Sequence, residues 1–268
     1  MSTYLVTGAK GFVGTALTRR LATSGHVVHG VDVGDSLSGL IPEVDGVFHL
    51  AGHASAGEFE KHHSFLDADV GAFVDVCVMA LAHKKPVVCV SSAFSLNPVT
   101  LYGLSRSFME QLAWFFARRG LDIHVARFFN IYGPGQENAV TYAGTFIVDT
   151  IKAMLKAPSA CPIRGSMCLR DFVFIEDVLD DLETIMDDPG DKRVWDVGSG
   201  VLVSLQGAAD IMARIIGLPY RPEGDMMPDE VPPYFRAARI SDGLRRTELE
   251  DGLAKTISHM RTTELAVI

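Results

Sequence analysis

Short apolar runs alternate along the chain with amphipathic stretches. Residues 4–7, 27–32, 46–50, 87–91, 124–128, 171–174 and 194–197 are almost continuously apolar, as strands covered on both faces are. Between them, residues 11–24, 68–83, 101–119, 145–155, 176–186, 205–216 and 248–260 repeat their apolar positions at helical spacing. Gly25 and Gly120 stand where two of these helices need a C-terminal cap. Strands and helices that alternate through short connections predict an α/β fold with a doubly wound parallel sheet. The alternation breaks over residues 134–166 and after Gly198. Pro158, Pro162, Pro219, Pro222, Pro228, Pro232 and Pro233 all fall there. The expected division is a sheet domain of residues 1–133 with 166–198, and a smaller, irregular C-terminal substrate lobe of residues 134–165 with 199–268.

Composition narrows the class. The 268 residues are 48% hydrophobic and 21% charged, with a net charge of −9. This is globular material, neither collagenous nor disordered. An acidic surface argues against nucleic acid or an anionic membrane as partner. Cys77, Cys89, Cys161 and Cys168 form no C-x-x-C pair and read as buried, reduced thiols rather than a disulfide framework. No apolar run reaches the ~18 residues of a membrane span, and the N-terminus lacks a basic stretch before a long apolar core, so a cytoplasmic protein is expected. His49, His53, His62 and His63 have no cysteine or carboxylate set around them that would suggest a metal.

Candidate chemistry begins at the N-terminus. Gly8, Gly11 and Gly14 follow the first strand and open the first helix. Gly8 permits a tight turn, Gly11 lets the backbone approach a pyrophosphate, and Gly14 lets the helix pack on the sheet. The helix start, at Phe12 and Val13, then presents N–H groups and a positive dipole end to the anion. Asp32, at the end of the second strand, would accept hydrogen bonds from ribose hydroxyls and repel a 2′-phosphate, which favours NAD over NADP. Further on, Tyr102 and Arg106 lie four residues apart on a helix and share a face. A phenol titrates near 10. A cation about 5 Å away, at an effective dielectric of about 20, stabilises phenolate by roughly 3 kcal/mol, or about two pKa units. Tyr102 would then take a hydroxyl proton while NAD accepts a hydride from the same carbon. Ser92, at a strand end, would hold the oxygen; Ser91 and Ser95 compete for that role.

The chain resembles the extended short-chain dehydrogenase/reductases. The resemblance rests on Gly8-x-x-Gly11-x-x-Gly14, His49-Leu-Ala-Gly52, Val90-Ser-Ser92, Tyr102-Gly-Leu-Ser-Arg106, Arg127-Phe-Phe-Asn130 through Gly135, Leu169-Arg170-Asp through Asp177, and Val194-Trp-Asp-Val-Gly198, in that order. Within the family it looks most like the NAD-dependent sugar-nucleotide epimerases and dehydratases of the UDP-glucose 4-epimerase type. The resemblance implies a Rossmann fold. Gly8, Gly11 and Gly14 would hold the NAD pyrophosphate and Asp32 the adenosine ribose. Leu50, Ala51 and Gly52 would supply backbone near the cofactor, and Tyr102 and Arg106 would also face it. Ser92 and Tyr102 would polarise the substrate, and Asn130 and Arg170 would meet a nucleotide-sugar diphosphate. It also implies a homodimer in which helices 68–83 and 101–119 pair across a two-fold axis, through Phe73, Val76, Cys77 and Ala80 on one and Phe108, Leu112, Phe115 and Phe116 on the other.

The chain departs from the family pattern at several places. Arg106 stands where lysine is usual, and Asp69 where asparagine is usual. Residues 33–48 are too few for the usual helix and third strand. The Gly-Trp-x-Pro element expected near Leu244 is absent. Ala93 and Phe94 follow Ser92 where dehydratases and decarboxylases carry Asp or Glu, so 4-epimerisation ranks above dehydration. The competing readings are a one-way NAD(P)-dependent ketone/alcohol oxidoreductase and a catalytically weak dinucleotide-binding sensor.

Overall fold

The computed structural model describes residues 1–32, 34–37, 39–138, 145–156, 163, 165–187, 190–219 and 246–265. Cys161, Leu244 and the prolines of the break, apart from Pro219, lie outside the described residues. The elements in chain order are β1 (Thr3–Thr7), α1 (Phe12–Thr23), β2 (Val27–Val31), β3 (Gly46–His49), α2 (Ala56–Lys61), α3 (Ser64–His83), β4 (Val87–Ser92), α4 (Leu101–Ala117), β5 (Ile123–Phe128) and β6 (Asn130–Tyr132). They continue with α5 (Phe146–Lys156), β7 (Leu169–Phe174), α6 (Ile175–Asp187), β8 (Val194–Val197), β9 (Leu202–Ser204), α7 (Leu205–Ile216) and α8 (Leu249–Leu265).

By packing, the chain forms two units, residues 1–128 with 179–196 and residues 129–178 with 197–268. The first holds a six-stranded sheet in the order β2-β1-β3-β4-β5-β8. β1 pairs with β2 and β3, β3 with β4, and β4 with β5, all in parallel. This is the Rossmann-like α/β arrangement the periodicity predicts. As expected from the short connection, β3 follows β2 with only a 3-10 turn, Ile41–Glu43, among the described residues between them. Ile41 and Val44 of that connection are fully buried in the core that also holds Leu5, Val47, Phe73 and Val76. A loop thus fills the space over the sheet that a helix would otherwise cover.

The stripe of α3 expected to face a second copy lies inside this core. Phe73, Val76, Cys77 and Ala80 are fully buried, and Phe116 of α4 nearly so. These α3 positions recur at i+3 and i+4, so they form the one face that packs on the sheet. Phe108 and Phe115 are exposed, as are Leu104 and Trp114 of α4 and Val78 of α3.

The second unit holds a three-stranded sheet, β6-β7-β9. β7 pairs in parallel with β6 and antiparallel with β9. The run around residues 171–174 therefore belongs to a second sheet rather than continuing the first. Asp171 accepts from the Ser199 and Gly200 N–H groups and from the Ser199 hydroxyl. Asp177 accepts from the N–H and hydroxyl of Thr247, which ties the start of α8 to α6. No helix among the described residues is long and apolar enough to cross a membrane. Cys77, Cys89 and Cys168 are free and buried, and burial pushes the Cys77 thiol up to about 12.

Candidate active site

β1 delivers the chain into the glycine turn, and α1 starts from it with Gly11 as an N-cap that no side chain caps. The first-turn N–H groups around Phe12 and Val13 are therefore those a helix leaves for an anion. Gly14 packs directly on the turn: a Cβ there would overlap the Gly8 carbonyl. Gly8 is left-handed at φ +69, and a Cβ on it would sit 2.8 Å from the Ala51 nitrogen. So Gly8 abuts Leu50 and Ala51, while Gly11 and Gly14 pack on Gly8, and the Ala51 N–H donates to Thr7 Oγ1 at 3.2 Å. Asp32 stands beside this turn, just past β2, where its Oδ2 accepts from the Lys10 N–H at 2.9 Å. Its own N–H donates to Asp35 Oδ2 at 2.8 Å. A cradle that side chains would fill, with an uncapped helix start and a carboxylate at the next strand end, fits a dinucleotide.

Ser92 ends β4 and caps a 3-10 turn, Ala93–Leu96. Its Oγ accepts from the Phe94 N–H at 3.3 Å, which leaves its own proton unspent among the described residues. Thr100 caps α4 through the Gly103 N–H, which places Tyr102 in the first turn. The Tyr102 ring packs edge-to-face on Phe59 and Phe94, each 5.5 Å away between centroids. Its hydroxyl has no hydrogen-bond partner among the described residues.

The three candidate serines are sorted by Glu110, one helix turn below Arg106. Glu110 Oε1 accepts from Ser91 Oγ and Ser95 Oγ, both at 2.6 Å. Arg127 then holds Glu110 at 2.8 Å and Asp196 at 2.9 Å. Only a residue eight positions from Tyr102, invisible as a motif, separates Ser92 from its neighbours.

Arg106 is not turned outward beside the phenol. Its side chain is 4% exposed, and its Cζ lies 4.9 Å from the Tyr102 ring centroid, over the ring face. Nη2 donates to Asp69 Oδ2 at 2.9 Å and to the His53 carbonyl at 2.6 Å. The reason is electrostatic: Asp69 brings a buried carboxylate to this position, and a buried guanidinium pairs with it. Asp69 Oδ1 also meets His53 Nδ1 at 2.7 Å, and the His53 ring stacks on Phe65. Below them, His49 is buried, with Nδ1 on Thr7 Oγ1 at 2.9 Å. Burial, then the charge of Arg106, lowers its pKa to about 4 against the opposing effect of Asp69.

In the other unit, Asn130 starts β6 and its Nδ2 donates to the Asp171 carbonyl at 3.0 Å. Arg170, on the neighbouring strand β7, is half-buried and donates from Nη1 to the Leu169 carbonyl. The described residues contain no cluster of ligands for a metal ion.

Comparison with known proteins gives the family and the fold. Residues 4–198 match the NAD dependent epimerase/dehydratase family. A UDP-glucose 4-epimerase of Mycolicibacterium smegmatis is 27% identical over 96% of this chain and 98% of its own length. A UDP-N-acetyl-alpha-D-glucosaminuronate decarboxylase of Bacillus cytotoxicus is 25% identical over 97% of this chain and 98% of its own. The structure of MoeE5 in complex with UDP-glucose and NAD superposes with a TM-score of 0.78 at 26% identity, covering 98% of this chain and 99% of that one.

Proposed function

The chain belongs to the NAD-dependent epimerase/dehydratase family, and from that premise we propose that it epimerises a nucleotide-activated sugar, at C4, by transient oxidation and reduction. NAD is the family's cofactor, and when bound it supplies the hydride acceptor and donor. The observation that carries the reading is the sorting of hydroxyls by Glu110. Ser91 and Ser95 donate hydrogen bonds to that carboxylate, while Ser92 and Tyr102 do not. Ser92 donates a hydrogen bond to the sugar oxygen, and Tyr102 takes the proton from that oxygen and returns it. The Ala93–Leu96 turn carries no carboxylate to remove a proton next to the resulting ketone, which supports epimerisation over dehydration or decarboxylation. Asn130 and Arg170, on adjacent strands, bind the diphosphate in this reading. The exposed face of Leu104, Phe108, Trp114 and Phe115 supports a homodimer through α4.

The test is incubation of the purified protein with NAD and a panel of nucleotide sugars. The expected result is exchange of one sugar for its 4-epimer with no net NADH. Steady accumulation of NADH with an oxidised sugar would replace epimerisation by one-way redox chemistry. NAD binding without turnover on any sugar would favour a sensor.

A further inference from the structure

We propose that Asp69 is a positioning residue of this site: it fixes Arg106 beneath the loop on which the cofactor turn rests, and the two residues act as one unit. The inference rests on reading the surroundings of Tyr102 and the glycine turn as the active site. It adds a role for a residue that touches neither Tyr102 nor the turn.

The two side chains are 4% and 3% exposed, so each charge depends on the other. Together they hold both backbone polar groups of His53. Asp69 takes its N–H, at 3.0 Å to Oδ2 and 3.3 Å to Oδ1. Arg106 takes its carbonyl at 2.6 Å. The preceding residue lies flat on the pair. Gly52 has φ +149, and a Cβ on it would come within 3.0 and 3.1 Å of the Arg106 nitrogens and 3.2 Å of Asp69 Oδ2. One residue earlier, Ala51 abuts Gly8. The path from the ion pair to the pyrophosphate turn is therefore three residues of backbone, His53, Gly52 and Ala51, each held by a named contact. Removing one charge leaves the other buried and unpaired, so the remaining side chain moves toward water and residues 50–53 lose their floor. Removing both leaves no such charge.

The test is calorimetric titration of NAD into the full chain, at a temperature where circular dichroism shows each variant folded. The proteins are wild type, Asp69→Asn, Arg106→Met, the Asp69→Asn/Arg106→Met double variant, and Asp69→Glu. Each single neutralisation should weaken NAD binding about tenfold or more. The double variant should also lose about tenfold, not the roughly hundredfold of two independent losses. Asp69→Glu, which keeps the charge, should recover most of the affinity. A merely structural pair would lower the melting temperature and leave the affinity of the folded protein unchanged. Wild-type affinity in folded Asp69→Asn overturns the proposal, as do losses that multiply in the double variant. If Asp69→Asn does not fold, wild-type affinity in the double variant overturns it instead. The readout needs no sugar, so failure here is distinct from a failure to find isomer exchange.

Discussion

Arg127 and Arg106 are both largely withdrawn from solvent in the sheet unit, yet their partners differ in kind. Arg127 lies between two carboxylates, Glu110 and Asp196, with the Ser95 hydroxyl at its Nε. Burial alone would lower its pKa, but the hydrogen bond and charge of Glu110, then the charge of Asp196, raise it above the ordinary value. This cluster carries one more negative charge than positive, and Glu110 accepts hydrogen bonds from two serine hydroxyls. Arg106 has one carboxylate, one backbone carbonyl, the Met109 sulfur and the face of a phenol ring. Its Nε has no hydrogen-bond partner among the described residues. A buried donor left unpaired costs about 1–3 kcal/mol. The first cluster is closed and serves as scaffold; the second keeps a polar group unspent next to Tyr102.

The largest effect should come from the phenol that Arg106 covers. Tyr102→Phe removes only the hydroxyl, so turnover should fall about 10²–10⁴-fold while calorimetric NAD affinity stays near wild type. Retained turnover would move the proton transfer away from this cluster. Breaking the scaffold cluster should act on stability instead. Glu110→Gln leaves Arg127 with one carboxylate and frees two serines, and should lower unfolding free energy by about 3 kcal/mol in urea titrations. An unchanged urea midpoint would show that Asp196 suffices. The smallest effect concerns His49, beneath Arg106. Its folded pKa of about 4 lies below the ordinary histidine value of 6.5, so the unfolded chain binds its proton first as pH falls. The stability from the neutral ring is present above about 6.5 and is lost as pH falls toward 4. Between pH 7 and 5 the wild type should lose about 2 kcal/mol that His49→Gln does not lose. Parallel losses in both proteins would assign the pH dependence elsewhere.

The frame was legible because its signals are local. The strand, the glycine turn and the helix after it run without interruption from Thr3 to Thr23, and β8 and α7 match their expected bounds at both ends. Three-residue strands such as β6 and β9 are too short to show a period of two, so they escape such reading. Nor does an apolar run declare which sheet it joins, which is why β7 reads like a strand of the first. At the site, Ser92 and Tyr102 sit at a strand end and a helix start, positions that spacing exposes. Glu110 carries no local signature, since its partners come from β4, the following turn and β5. Asp69 and Arg106 each stood out as departures from the family pattern, but only the fold shows that the two departures touch.

The buried loop between β2 and β3 also decides where the sheet stops. With Ile41 and Val44 plugging the core in place of a helix and a further strand, β2 is the outer strand of the sheet among the described residues. An outer edge offers unsatisfied N–H and C=O groups to any passing extended chain. Here that margin is only five residues long, contains Gly30, and carries a histidine at its centre. Such a margin can present roughly two or three bonds of each kind, too few to hold a foreign strand in register. The short connection thus leaves the sheet a bare flank, and brevity of the outer strand is what keeps that flank from becoming adhesive.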